Sequence, residues 1–148
     1  MAQLERYNRR ERQALYKQAV SDYLQSQNWT HFYTITFRSQ RRDRLAVLRD
    51  VADHFHRIGT YRKSFVAVEP HSSGLGVHVH GLAEFERHPI VRYSDQSTML
   101  WRKSFRRFGR NKFEQLRSLE NVSSYCSKYI VKGKEFEYSF DGDKEFWK

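Results

Sequence analysis

A single cysteine, Cys126, stands among 148 residues, so no disulfide can close within the chain. That usage fits a reducing compartment. No apolar run is long enough to cross a bilayer, and no secretory signal opens the sequence. The expectation from these absences is a cytoplasmic protein with no membrane partner. No G-x-x-x-x-G-K-[ST] phosphate loop occurs, which excludes a self-contained nucleotide-driven helicase. Internal repeats, low-complexity segments and linkers are absent too. The expected organisation is one domain over 1–148, with an N-terminal helix inside 1–30 and a tail or hairpin over 134–148.

Acidic residues are outnumbered by basic ones, 17 to 27, for a net charge of +10. Nine Tyr, eleven Phe and three Trp are spread among them. Cations interleaved with aromatic rings suit a polyanion whose bases can stack, which describes single-stranded nucleic acid. A basic protein with a large aromatic core has the same composition.

Taken in order, Leu4 to Gln27 reads as a helix with a loose apolar stripe of Leu4, Tyr7, Leu15, Ala19 and Leu24. Arg6, Arg9, Arg10 and Arg12 crowd one end, so the helix either docks on the domain or forms a basic arm. Phe32 to Phe37 is rich in β-branched and aromatic residues and predicts a strand. Leu45, Leu48, Val51, Ala52, Phe55 and Ile58 recur at helical spacing over about Arg44 to Ile58, with Gly59 as the stop. Ser64 to Glu69 and Val77 to Phe85 predict an antiparallel hairpin across a turn-rich loop. A helix follows over about Gln96 to Phe108, with Leu100, Trp101, Phe105 and Phe108 expected inward. Lys112 to Arg117 suits a fourth strand. Asp141-Gly142 suggests a terminal hairpin, or else a strand with a loose tail. The expected fold class is therefore α+β: a ferredoxin-like, split βαβ core whose antiparallel sheet of about five strands carries packed helices.

Two clusters bear chemistry. His78 and His80 alternate on the third strand, so both imidazoles face one side while Val79 faces the other. If the hairpin registers match, Glu69 comes within reach of both. Two imidazoles and a carboxylate make a half-shell for a divalent ion, open to water and a phosphate oxygen. His71 is an alternative third ligand, zinc an alternative ion, and a pair of hydrogen-bonded structural histidines the bland alternative. His31, His54, His56 and His88 are expected to be structural or solvated.

The second cluster is the run Val122 to Lys132. Asn121 suits a helix cap and Gly133 a stop. Tyr125 and Tyr129 fall at i and i+4 on one face, with Lys128 and Lys132 three residues beyond each. A phenol, with a pKa of about 10, becomes a usable nucleophile beside a cation or metal. Cys126 points off that face and is expected to pack.

Together the segments resemble the HUH endonucleases, the rolling-circle replication initiators of small single-stranded DNA phages, plasmids and circular DNA viruses. Phe32-Tyr33-Thr34-Ile35-Thr36-Phe37 looks like the family's F-x-T-[LI]-T-F strand. His78-Val79-His80-Gly81-Leu82 matches its histidine–hydrophobe–histidine motif, and Tyr125-Cys126-Ser127-Lys128 its Y-x-x-K motif. The longer run to Lys132 is similar to the two-tyrosine pattern of phage initiators. The N-terminal helix and the tail after Gly133 carry no match.

The resemblance implies metal-dependent, site-specific nicking and joining of single-stranded DNA or an origin hairpin. Glu69, His78 and His80 would hold Mg²⁺ or Mn²⁺. Tyr125 or Tyr129 would attack, Tyr125 first, to leave a 5′-phosphotyrosine and a free 3′-hydroxyl. Lys128 and Lys132 would orient the phosphate or ease phenol ionisation. Arg38, Arg41, Arg42 and the Arg102–Arg110 cluster, including Lys103, Arg106 and Arg107, are the expected DNA contacts. A separate helicase and the host polymerase would be needed for replication. The competing functions are an HUH transposase that cuts and joins single-stranded ends, and a non-catalytic ferredoxin-like nucleic-acid-binding module.

Overall fold

The aromatic and β-branched run at the start of the core forms β1, His31–Thr36, whose residues alternate between buried and half-buried. The computed structural model describes residues 8–38, 43–70, 76–131 and 137–142. The elements after β1 are α2 (Arg44–His56), β2 (Tyr61–Pro70), β3 (Val77–Phe85), α3 (Tyr93–Phe108) and β4 (Asn111–Gln115). That is the β-α-β-β-α-β order read from the sequence. A fifth strand, β5 (Glu137–Gly142), joins the same sheet, which runs β4-β1-β3-β2-β5. Every pairing is antiparallel, so β3 lies between β1 and β2 in the split βαβ manner. Asp141 and Gly142 pair with Ser64 and Lys63 inside β5. They end a strand and do not form the turn of a terminal hairpin.

Chain contacts define two units, 1–28 with 117–134 and 29–116 with 135–148. In the second, one sheet face packs on α2 and α3. Tyr33, Ile35, Val66, Val68 and Val79 from the strands meet Val47, Val51 and Phe55 of α2 and Leu100 and Phe108 of α3. Leu45, expected inward, is exposed. The first unit contains α1 (Arg9–Ser26), α4 (Leu119–Tyr125) and a π-helical turn, Cys126–Val131. Asn8 caps α1 through a complete capping box with Glu11. The buried side of α1 is Val20, Ser21 and Leu24; Leu15 and Ala19 of the expected stripe face outward. Leu4 and Tyr7 lie outside the described residues.

Gly81 shows how tightly the middle of the sheet is built. It pairs with Tyr33 on one side and Val66 on the other. A Cβ there would collide with the Phe65 carbonyl oxygen and stand 2.6 Å from the Tyr33 hydroxyl. That hydroxyl donates to the same carbonyl at 2.9 Å in a buried setting. Gly81→Ala is expected to destabilise the fold by about 3–5 kcal/mol, combining overpacking with loss of a buried hydrogen bond. A urea unfolding midpoint equal to that of the parent chain would contradict this.

Two buried histidines fix α3. His31 Nε2 lies 3.1 Å from Ser97 Oγ, and His54 Nε2 lies 3.0 Å from Ser104 Oγ. Burial pushes both imidazoles down to a pKa of about 4, with Arg107, Lys103 and Arg57 adding to the effect at His54. In the unfolded chain each titrates near 6.5. Between those values the unfolded chain binds protons that the folded chain refuses, so stability falls as the pH drops from about 6.5 towards 4. The loss is on the order of 3 kcal/mol per histidine once complete. Urea titrations at about pH 7 and pH 4.5 check this, and equal midpoints would refute it.

Candidate active site

Register places the acid–histidine cluster. Glu69 of β2 is the direct cross-strand partner of His78, and His80 pairs with Ala67 two residues along. The even spacing therefore puts all three side chains on the sheet face opposite the α2–α3 core. Glu69 Oε1 lies 2.9 Å from His80 Nε2, and Glu69 Oε2 lies 3.5 Å from His78 Nε2. His80 is 3% exposed, whereas His78 and Glu69 are 25% and 23% exposed. Hydrogen bonds from His78 and His80 hold the Glu69 carboxyl well below its usual range, at about 2, against the opposing effect of burial. The group is a permanent carboxylate at neutral pH.

Among the described residues, no three His, Cys, Asp or Glu side chains surround a common centre at ligand distances. Here the two imidazoles close directly on the carboxylate. Their chemistry still fits a divalent ion: two Nε2 atoms and a carboxylate converge from adjacent strands, and small side-chain rotations would turn these hydrogen bonds into ligand bonds. His71, the alternative ligand, lies outside the described residues.

Beside the cluster is an open cleft of about 510 Å³ lined by Thr34, Thr36, His78, Arg110, Asn111 and Lys112. Sequence reasoning does not single out Thr34 and Thr36 as site residues. They belong to the site because they pair with His80 and His78. The recognisable signal is alternation: Thr-x-Thr on β1 lies opposite His-x-His on β3, so all four share one face.

The tyrosines belong to the first unit. Its helix starts earlier than expected, with Ser118 at the N-cap position. Asn121 sits inside α4, where its side-chain oxygen accepts from the Arg117 N–H at 3.1 Å. From Cys126 the α-helix gives way to the π-helical turn, a rare geometry found often at functional sites. The Tyr125 and Tyr129 rings lie 5.2 Å apart, tilted by 38°. Tyr125 is buried and Tyr129 half-buried. The Lys128 ammonium stands 5.1 Å from the Tyr129 ring centroid, so it accompanies the second phenol. Cys126 is buried, its thiol facing the Ser21 carbonyl at 3.9 Å. Burial raises its pKa, which fits packing and not reactivity. Lys132 and Gly133 lie outside the described residues.

The expected DNA contacts divide. Arg102, Lys103 and Arg106 are exposed on α3. Arg107 is instead paired with Asp53 at 2.8 Å and lies over the Phe108 ring. The Arg38 guanidinium donates to the carbonyls of Phe105 and Arg106 at the end of α3. Arg41 and Arg42 lie outside the described residues. His31 and His54 are structural, His56 pairs with Asp141 at 2.8 Å, and His88 Nδ1 accepts from the Ile90 and Val91 amides.

The sequence model of one family, the ORF2-type replication-associated proteins, matches residues 30–134. No curated protein and no solved structure matches the chain.

Proposed function

The chain belongs to the family of ORF2-type replication-associated proteins, and on that premise we propose that it is an HUH endonuclease that nicks and rejoins single-stranded DNA to initiate rolling-circle replication. The observation that carries this reading is the convergence of Glu69, His78 and His80 on one face of the sheet, in a chain that also carries two tyrosines in ring contact.

Glu69, His78 and His80 would hold one Mg²⁺ or Mn²⁺ ion. Such an ion polarises the scissile phosphate and offsets charge on its non-bridging oxygens. The chain's own residues then supply binding and the nucleophile. Arg110 and Lys112, beside His78 in the cleft, attract the phosphates flanking the scissile one. The Thr34 and Thr36 hydroxyls offer hydrogen bonds without adding charge.

A tyrosine oxygen attacks phosphorus in line, and the bond to the 3′-oxygen breaks. The phenol gives up its proton and the departing 3′-oxygen gains one, so the products are a 5′-phosphotyrosine and a free 3′-hydroxyl. Rejoining is the reverse attack by a 3′-hydroxyl on the phosphotyrosine. A second phenol lets one end stay attached while the other tyrosine cuts the regenerated junction. Lys128 stabilises the ionised form of Tyr129 by proximity. A separate helicase and the host polymerase would complete replication.

The test uses end-labelled single-stranded oligonucleotides carrying candidate origin sequences. The expected result is cleavage only with Mg²⁺ or Mn²⁺, one fragment remaining on the protein and the other being extendable by a polymerase from its 3′-hydroxyl. Cleavage that leaves a 3′-phosphate, or that transfers no fragment to the protein, would overturn the proposal.

A further inference from the structure

The outer side of α3 carries two large aromatic rings that the core does not use. Trp101 and Phe105 are 41% and 44% exposed. Their rings stack almost parallel, with centroids 5.2 Å apart and planes 23° apart. The buried positions of the helix are Gln96, Leu100, Ser104 and Phe108, one step round from this pair. A flat apolar surface held open to solvent on a basic helix suggests a ligand with its own flat faces.

The pair is held rigidly from below. Arg38 N–H donates to the Phe108 carbonyl at 2.9 Å, and the Arg38 guanidinium lies 5.3 Å from the Phe105 ring centroid. Gly109, at φ 104°, leaves room for the Arg38 side chain, which a Cβ at that position would strike. Asn111 Nδ2 donates to the carbonyls of Trp101 and Gly109, at 3.3 and 3.0 Å. Little side-chain or backbone freedom would be lost on binding, which favours affinity.

Asn111 also links the rings to the candidate active site. It lines the cleft that contains His78, together with Arg110 and Lys112. On the other flank of α3, Arg102, Lys103 and Arg106 line a second cleft of about 480 Å³. Cations therefore border the aromatic pair on both sides, and one of those borders leads to His78.

We propose that Trp101 and Phe105 form a stacking platform for unpaired bases of the DNA strand whose scissile phosphate lies at Glu69, His78 and His80. The inference rests on the nuclease reading above and adds the part of the protein that distinguishes single-stranded from paired DNA. Bases in a duplex already stack on each other, so a platform of this kind rewards only unpaired ones.

The test measures equilibrium binding of the full chain to oligothymidylate and to a blunt duplex over a range of salt. W101A/F105A is expected to weaken oligothymidylate binding by about 10-fold or more, with little change for the duplex. The dependence of affinity on salt should be unaltered, since stacking releases no counterions, whereas R102A/K103A should flatten it. W101F restores a ring and should recover affinity to within about threefold of the parent, while losing the quench of tryptophan fluorescence on binding. Equal oligothymidylate affinity in W101A/F105A and the parent, or a quench that persists in W101F, overturns the platform. If the parent still cleaves single strands in that case, the nuclease reading stands without it. A parent chain that neither binds nor cleaves single strands removes both.

Discussion

Changing Tyr125 and Tyr129 together to phenylalanine is expected to lower covalent attachment to single-stranded DNA by about 10⁴-fold or more, the scale on which loss of an essential nucleophile acts. The substitution removes two hydroxyls and keeps both rings, so the 5.2 Å ring contact that joins α4 to the π-helical turn survives. Non-covalent DNA affinity should stay within a few-fold of the parent, because the cationic and aromatic surfaces of α3 are untouched. The single variants separate two roles. The Y-x-x-K pattern nominates Tyr125 for the first attack, and loss of the first adduct in Tyr125→Phe alone is the outcome it predicts. Tyr129 is the more accessible phenol, and loss of the first adduct in Tyr129→Phe alone would reverse the order. A double variant that still forms the adduct would end the phosphotyrosine mechanism.

The second large effect is expected at the acid–histidine cluster. His80→Ala removes the imidazole that is most buried and closest to Glu69. Cleavage should fall by more than about 100-fold, exceeding the loss typical of residues that merely support a ligand. A chelator should reproduce that loss in the parent chain, and added Mn²⁺ should restore the parent fully and the variant little. Glu69→Gln keeps the shape but withdraws a full negative charge, so it should raise the metal concentration required for half-maximal cleavage. Cleavage by His80→Ala at the parental rate would mean that the histidines are structural.

The parts of the fold that are legible in the sequence are those written in simple periodicity. Alternation in Phe32 to Phe37 and in Val77 to Phe85 announces central strands. The short loop between two of the strands announces a hairpin, and Glu69 then falls opposite His78. What escapes the sequence has one physical cause: polar groups that are buried because they are satisfied. On α3 the inward row includes Gln96 and Ser104. Gln96 donates to the Glu86 carbonyl at 2.9 Å, and Ser104 meets His54. A hydrophobicity pattern assigns that row to solvent and turns Trp101 and Phe105 inward, which reverses the face that matters. Arg38 and Arg107 mislead in the same way, since one binds carbonyls at the end of α3 and the other pairs with Asp53. The π-helical turn has no signal to read, because Cys126 to Val131 carries neither proline nor glycine and suits an α-helix equally well.

The most direct measurement is mass spectrometry of the protein after incubation with a single-stranded origin oligonucleotide and Mn²⁺, followed by nuclease and protease digestion. The predicted spectrum contains a peptide spanning Tyr125 and Tyr129 that carries a nucleotide through a tyrosine oxygen, and that peptide is absent when a chelator replaces the ion. A cleaved oligonucleotide with both tyrosines unmodified, or the same adduct formed in full without divalent metal, would contradict the account.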